Sequence, residues 1–206
     1  MHHIIFEQSN MYDIAILTPT SALRKGELEK HYVQSFRNGG IAPSKSIAFD
    51  LDYGGKKKPT VKIQRAYLDK LLPALDGLSV KTLFCCDGEY FKTLTGEKKT
   101  EPHYGYVLPC VVKGFEHMSV ILCPNYKSLF FNPDLQQPRL NMSVETLLAH
   151  ENGTYQALGQ GIIHSAAYAK TVAEFRGMLD SLHQYPVLVS DIEAFDLKHY
   201  NAGIGT

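Results

Sequence analysis

The sequence predicts a layered α/β fold with a mainly parallel sheet. Two observations lead to this prediction. Short apolar runs alternate with amphipathic helical segments, and turns rich in glycine, proline and polar residues separate them. The chain has 206 residues, 44% of them hydrophobic, which suffices for one complete domain with a buried core and part of another.

The first elements are marked by clear boundaries. Tyr12–Pro19 is an apolar run ended by Thr-Pro, which is typical of a buried strand that leads into a loop. Ser21–Asn38 has apolar residues at helical spacing and is predicted as one amphipathic helix, ended by Gly39-Gly40. A strand, a lysine-rich loop and a helix are predicted next, at Ser46–Leu51, Asp52–Pro59 and Ile63–Leu78.

The remaining elements of the first domain continue the alternation of strands and helices. Val80–Cys86 is predicted as a buried strand, and a turn at Asp87-Gly88 leads into a short helix over Glu89–Leu94. The last elements are a hairpin of Tyr106–Val112 and Ser119–Pro124, joined by Lys113–His117, and a helix over Asn141–His150.

A shorter unit is predicted after a glycine-containing junction. Thr171 and Glu174 fit the S/T-x-x-E capping box and predict a helix that ends near His183. Tyr185-Pro186 breaks it, and Val187–Val189 is predicted to begin a buried strand. We therefore divide the chain into a domain over 1–152, a linker over 153–170 and a truncated unit over 171–206.

Asp191 and Glu193 are the candidate metal ligands and catalytic residues. Side chains alternate along a strand, so both carboxylates are expected on one face. Such a pair repels itself unless a cation such as Mg²⁺ or Mn²⁺ neutralises it, which suits two-metal phosphodiester hydrolysis. Asn201–Thr206 is expected to begin the next antiparallel strand. The alternative interpretation is two exposed strand carboxylates without a metal.

The order of helix, strand, Asp-x-Glu and hairpin resembles the first motif of DEDD-type 3′-to-5′ proofreading exonucleases, which are ribonuclease H-like. The resemblance implies that Asp191 and Glu193 are part of a metal site. In that family, the other carboxylates and a Tyr or His general base come from later motifs. We therefore expect a truncated exonuclease unit, a short helix and strand that is inactive alone.

The first domain resembles uracil-DNA glycosylases in the order of its elements and in short motifs. Cys123-Pro124-Asn125 stands where that family has His-Pro-Ser, and Asn132-Pro133 matches its trailing Asn-Pro. The loop Thr18–Ser21 lacks the family's catalytic carboxylate or amide, and Cys123 cannot replace the imidazole donor. The resemblance therefore implies a glycosylase-like fold without uracil excision.

Both domains together are similar to the N-terminal part of family A DNA polymerases of large tailed bacteriophages. This resemblance implies a replicative polymerase whose glycosylase-like domain supports DNA or partner binding. The expected partners are DNA, the rest of the polymerase chain and a replication accessory protein. No apolar run suits a membrane span, and Met1–Phe6 does not resemble a secretory signal, so we expect a soluble protein of the host cytoplasm.

Contacts to DNA are expected from local clusters, because 21 Lys and Arg balance 21 Asp and Glu. A phosphate-contacting rim is predicted from loop lysines, although solvated loops are the alternative. The candidate DNA-binding residues are Lys56, Lys57, Lys58, Lys98, Lys99 and Lys127. The candidate stacking residues, most of them expected in the core with one or two exposed, are Tyr90, Phe91, Tyr104, Tyr106, Tyr126, Phe130 and Phe131.

Two further functions stay open at this point. One is a divergent, active uracil-DNA glycosylase that uses Asp87 or Asp50 to activate water. The other is an unrelated α/β interaction module in which Asp191 and Glu193 occur together by coincidence. The four cysteines lie in apolar runs without metal-ligand spacing, so they are predicted to be buried, reduced and free of zinc or iron–sulfur clusters.

Overall fold

The computed structural model describes residues 1–157, 159, 169–188, 193–194 and 204–205. Two compact units are present, Met1–Gln160 and Gly161–Thr206. The division falls inside the segment predicted as a linker. Within the described ranges, no helix is long and apolar enough to cross a membrane.

A six-stranded mixed sheet forms the centre of the first unit. Its strands are β1 (His3–Ile5), β2 (Ile14–Pro19), β3 (Ser46–Leu51), β4 (Thr82–Cys85), β5 (Val107–Pro109) and β6 (Ser119–Leu122). They lie in the order β1-β3-β2-β4-β6-β5. The four central strands are parallel, and the edge strands β1 and β5 pair antiparallel to their neighbours. The predicted α/β class is confirmed.

Helices cover both faces of the sheet. One face packs against α1 (Lys25–Leu28), α2 (Gln34–Asn38) and α5 (Pro133–Glu151). The other packs against α3 (Val61–Gly77) and α4 (Gly88–Thr95). Because strand side chains alternate between faces, Ala15 and Leu17 of β2 enter one core, whereas Ile14 and Ile16 enter the other. All four cysteines are free and buried, as predicted.

Two helices differ from their predicted extents. The predicted helix Ser21–Asn38 begins at Lys25 and contains a π-helical stretch, Glu29–Val33, between α1 and α2. Helix α5 begins at Pro133 rather than near Asn141, because the Asn132 side chain accepts a hydrogen bond from the Leu135 amide and caps it.

The second unit contains one helix and one ribbon among its described residues. Helix α6 (Val172–Leu182) begins with the predicted capping box, in which Thr171 and Glu174 bond each other's backbone amides at 3.2 Å. Strands β7 (Glu193–Ala194) and β8 (Ile204–Gly205) pair antiparallel, with Glu193 opposite Gly205. The expectation of an antiparallel strand in this segment is confirmed.

The predicted buried strand at Val187–Val189 is wrong for the two residues that the structure describes. Val187 and Leu188 lie outside any strand and are 76% and 57% exposed. The elements described in this unit are one helix and two paired strands of two residues each. They supply no apolar layer that covers Val187 and Leu188. Val189 and Asp191 lie outside the described residues.

Tyr32, in the π-helical stretch, fixes the loop that follows β6. Its hydroxyl donates to the Pro124 carbonyl at 2.9 Å and accepts from the Tyr126 amide at 2.7 Å. The side chain is fully buried and packs edge-on against Phe84 and Tyr126. One phenol therefore pairs two backbone groups, of which the Pro124 carbonyl also accepts from the weak Cys123 thiol donor at 3.4 Å.

We expect Tyr32→Phe to lower the free energy of unfolding by about 2 kcal/mol, because it takes the hydroxyl partner from the Tyr126 amide and leaves the Pro124 carbonyl with only the weak Cys123 thiol donor. Urea titration measures the change. Tyr185→Phe, at a 51% exposed position, is the control and should stay within about 0.5 kcal/mol of the parent protein. Equal stability of both variants would contradict the assigned role of Tyr32.

Candidate nucleic-acid interface at the carboxyl edge of the sheet

The carboxyl ends of β2, β3, β4 and β6 meet at one edge of the sheet because these strands are parallel. After β2 the chain turns towards α1 on one face, and after the adjacent β4 it turns towards α4 on the other. Crevices at such points are the usual ligand sites of open α/β sheets. A ligand site is therefore expected at this edge of the sheet.

Asp50, at the end of β3, is 4% exposed and fully hydrogen-bonded. One carboxylate oxygen accepts from the His2 amide at 2.8 Å and the Tyr67 hydroxyl at 3.0 Å. The other accepts from the Thr20 hydroxyl at 3.1 Å and lies 2.8 Å from His2 Nδ1. Burial alone would raise the pKa of Asp50, but the bonds from His2, Tyr67 and Thr20 outweigh it and lower that pKa.

Asp87 begins α4 and is 8% exposed. It caps the helix by accepting from the Tyr90 amide at 2.8 Å, and its second oxygen accepts from the Tyr53 hydroxyl. The Tyr90 hydroxyl in turn donates to the Asp52 carbonyl. Burial raises the pKa of Tyr53, Tyr67 and Tyr90, so all three phenols act as neutral donors. Every carboxylate oxygen of Asp50 and Asp87 therefore has a hydrogen-bond partner within the fold.

The end of β2 and the turn that follows it are both bonded directly to the loop after β6. Asn125 donates from Nδ2 to the buried Thr18 hydroxyl at 3.2 Å, and Lys127 donates from Nζ to the Ser21 carbonyl at 2.7 Å. Burial also raises the pKa of the Cys123 thiol, which is 2% exposed. The two motifs that are expected to have lost their catalytic residues, Thr18–Ser21 and Cys123-Pro124-Asn125, are therefore joined to each other by the Thr18 and Asn125 side chains.

Two of the candidate lysines, Lys98 and Lys127, line two different clefts. Lys58 pairs with Glu89 at 3.0 Å, and Lys98 lines a cleft of about 490 Å³ between α3 and α4. Lys127 lies at a separate cleft next to α1, on the side of the other core. In the sequence, these lysines share only their position in loops. In the structure, the helices next to those loops pack on opposite faces of the sheet. The exposed members of the candidate set are Lys56, Lys57, Lys58, Lys98 and Lys99, and Lys127 is partly buried.

Phe130 and Phe131 are the two exposed members of the candidate stacking set, 74% and 88% exposed. Tyr90, Phe91 and Tyr126 are buried, as expected for most of the set. The two phenylalanines line a cleft of about 370 Å³ at the carboxyl edge, which we call the aromatic cleft. It is lined by Arg24, Glu27, Tyr126, Lys127, Phe130 and Phe131.

The position of the phenylalanine pair follows from two adjacent capped elements. A 3₁₀ turn over Tyr126–Phe130 begins at Asn125, which accepts from the Lys127 amide at 3.0 Å. Asn132 then caps α5. Phe130 therefore ends the turn and Phe131 connects it to the cap of α5, and both side chains are largely exposed to solvent. The sequence signal for this arrangement is an aromatic pair between two asparagine caps.

The predicted metal ligands give no assembled site in the described part of the chain. Asp191 lies outside it, and Glu193 is known only as a backbone position of β7. Among the residues that the structure describes, no group of three or more His, Cys, Asp or Glu side chains is arranged to hold a metal ion.

Comparison with known proteins gives no match, either to a protein-family model or to a curated protein.

We expect Asp50→Asn to lower the free energy of unfolding at pH 7 by roughly 2 kcal/mol, because hydrogen bonds to a charged acceptor are lost. Since the folded-state pKa of Asp50 is lowered, its ionised form adds stability that is complete above the unfolded value of about 4. This stability disappears as the pH falls through the lower folded-state pKa. Thermal unfolding at several pH values should show the two proteins converging in that acidic range.

The exposed Asp69 provides the control, because Asp69→Asn removes the same charge from a solvated position of α3. Its unfolding free energy should differ from the parent's by less than about 0.5 kcal/mol at every pH. A pH-independent deficit in Asp50→Asn would contradict the role of the ionised carboxylate.

Proposed function

We propose that the first unit is a non-catalytic DNA-contacting domain that binds single-stranded DNA through the aromatic cleft. The observation that carries this proposal is the pair of exposed phenylalanines next to two cations. Stacking of a base on an aromatic side chain contributes about 1–3 kcal/mol and tolerates any sequence. Arg24 and Lys127 line the same cleft and supply positive charge for the backbone phosphates.

The finer fold assignment, a uracil-DNA glycosylase-like domain, belongs to the same proposal. If Thr18–Ser21 and Cys123-Pro124-Asn125 derive from the two halves of one glycosylase site, they have to lie together in the fold. Asn125 of the second motif does contact Thr18 of the first, at 3.2 Å. This contact supports the resemblance. The burial and pairing of Asp50 and Asp87 support the loss of excision, because each of their carboxylate oxygens is already engaged by a donor within the fold.

The second unit is proposed to be the beginning of a 3′-to-5′ exonuclease of a phage-type replicative polymerase. In the complete protein, Asp191 and Glu193 would bind Mg²⁺ or Mn²⁺, with DNA, the rest of the polymerase and an accessory protein as partners. The capping box of α6 and the β7–β8 pairing, which includes Glu193, support this assignment.

Incubation with a uracil-containing oligonucleotide tests the absence of excision. We expect no free uracil, even with the protein in excess over the DNA, because Asp50 and Asp87 are engaged within the fold. Release of uracil that is abolished in Asp87→Asn would overturn this half of the proposal and identify an active glycosylase.

Single-stranded DNA should bind to the parent protein and bind about tenfold or more weakly to the double variant Phe130→Ala/Phe131→Ala, because two stacking faces are lost. Fluorescence anisotropy with a labelled oligonucleotide of about 12 nucleotides measures the dissociation constants. Val111→Ala removes an apolar side chain, 53% exposed, that lines the α3–α4 cleft, and it should bind like the parent. Equal binding by all three proteins would reject the aromatic cleft as the interface.

The salt dependence of binding should identify the cations that contact phosphate. For single strands, each phosphate contact contributes about 0.7 to the slope of log affinity against log salt. Arg24→Gln/Lys127→Gln should therefore reduce that slope by about 1.4, whereas Lys98→Gln/Lys99→Gln should leave it nearly unchanged. The reverse pattern would place the DNA at the α3–α4 cleft.

A further inference from the structure

We propose that a groove next to α3 and α4 binds an acidic segment of a partner protein, whose apolar side chains pack on two exposed valines of the groove. The groove shares no lining residue with the aromatic cleft. The inference therefore goes beyond the proposed DNA-binding function and does not depend on it.

Two adjoining clefts form the groove. Lys98 lines the first, of about 490 Å³, and Lys113 lines the second, of about 310 Å³. Arg65, Thr93 and Val111 line both clefts, so the two share a wall. We call the combined surface the valine groove.

The three segments that line the valine groove are bonded to one another. The Thr93 hydroxyl on α4 donates to the side-chain oxygen of Gln64 on α3, a residue that is 1% exposed. The Val111 amide, which follows β5, donates to the Leu94 carbonyl near the end of α4 at 2.8 Å. The groove therefore has its shape before a partner binds, which lowers the entropic cost of association.

Two of the carboxylates that line the valine groove are paired within the fold. Glu89 lies 2.8 Å from the Lys92 ammonium and 3.0 Å from that of Lys58. Glu97 lies 3.2 Å from His103 Nε2. Neither carboxylate is therefore free to repel an acidic partner with its full charge.

The unpaired charges of the valine groove are mainly positive. The side chains of Arg65, Lys98 and Lys113 have no hydrogen-bond or ion-pair partner within the described part of the chain. Asp69 is the lining carboxylate in the same state, so three unpaired cations stand against one unpaired anion. A surface of this charge is complementary to an acidic segment.

The apolar part of the groove favours a peptide over a nucleic acid. Val61 and Val111 are 55% and 53% exposed and line the same cleft. No aromatic side chain is among the described residues that line either cleft, so a single strand would find no ring on which its bases could stack. A peptide that carries both carboxylates and apolar side chains can pair with the cations and cover the valines.

Selection from a library of short random peptides displayed on yeast tests the inference. The parent protein should enrich peptides that contain both acidic residues and large apolar residues. Individual peptides are then synthesised with a fluorescent label, and anisotropy measures their dissociation constants for the parent and for the variants.

The variant Arg65→Gln/Lys98→Gln/Lys113→Gln should bind the selected peptides about tenfold more weakly, because three exposed ion pairs are lost. The control Lys30→Gln/Lys81→Gln/Arg176→Gln removes the same charge from exposed residues that line neither cleft, and it should bind like the parent.

The valines are tested by a second variant. Val61→Ser/Val111→Ser should bind the peptides about fivefold more weakly, because less apolar surface is buried on binding. Both side chains are more than half exposed, so the fold should be kept, and thermal unfolding of each variant checks this.

Binding to oligo-dT separates this inference from the proposed function. The Arg65→Gln/Lys98→Gln/Lys113→Gln variant should bind oligo-dT like its charge-matched control, and Phe130→Ala/Phe131→Ala should bind the peptides like the parent. If the latter also binds oligo-dT like the parent, the proposed function fails but the valine groove does not.

Three results would overturn the inference. The selection could enrich no acidic and apolar peptides, or the enriched peptides could bind both valine-groove variants as tightly as the parent. The third result is that the loss of Arg65, Lys98 and Lys113 weakens oligo-dT binding relative to the charge-matched control, which would make the groove a nucleic-acid site.

Discussion

The arrangement of the carboxyl edge depends on the burial of the Asp50 carboxylate. Its four contacts come from His2, ahead of β1, from Thr20, after β2, and from Tyr67, on α3. A buried charge is tolerable only when donors surround it, so these three separate segments have to be in place together. The carboxyl edge is therefore expected to form cooperatively, because the Asp50 carboxylate holds these three segments in fixed positions.

Other polar side chains at the same edge also have structural roles. Asp87 caps α4 and bonds Tyr53, and Asn125 bonds both Thr18 and the Lys127 amide. Groups bonded in this way hold their geometry, and each oxygen of the Asp87 carboxylate already accepts a hydrogen bond within the fold. The exposed part of the edge, around Phe130 and Phe131, is correspondingly the part with free surface for a partner.

Local patterns in the sequence were enough to predict much of the fold. β3, the capping box of α6 and the buried cysteines each depend on neighbouring residues or on apolar character, and these predictions agree with the structure. The beginning of α5 was missed because Pro138 and polar neighbours hide the helical spacing. The contacts of Asp50 and the stacking of His31 on Tyr126 could not be predicted, since these partners lie far apart in sequence. The sequence did indicate that few of the aromatic candidates would be exposed, but not which ones.

The π-helical stretch Glu29–Val33 makes the composition of the aromatic cleft sensitive to helix register. It holds His31 and Tyr32 against the β6 loop, while Arg24 and Glu27 precede it. Loss of one residue from the stretch would leave a plausible regular helix. Everything before it would nevertheless rotate by about 100° around the axis, carrying the cation and the carboxylate away from the phenylalanines. Related sequences with a deletion here would keep the scaffold while presenting a differently charged surface.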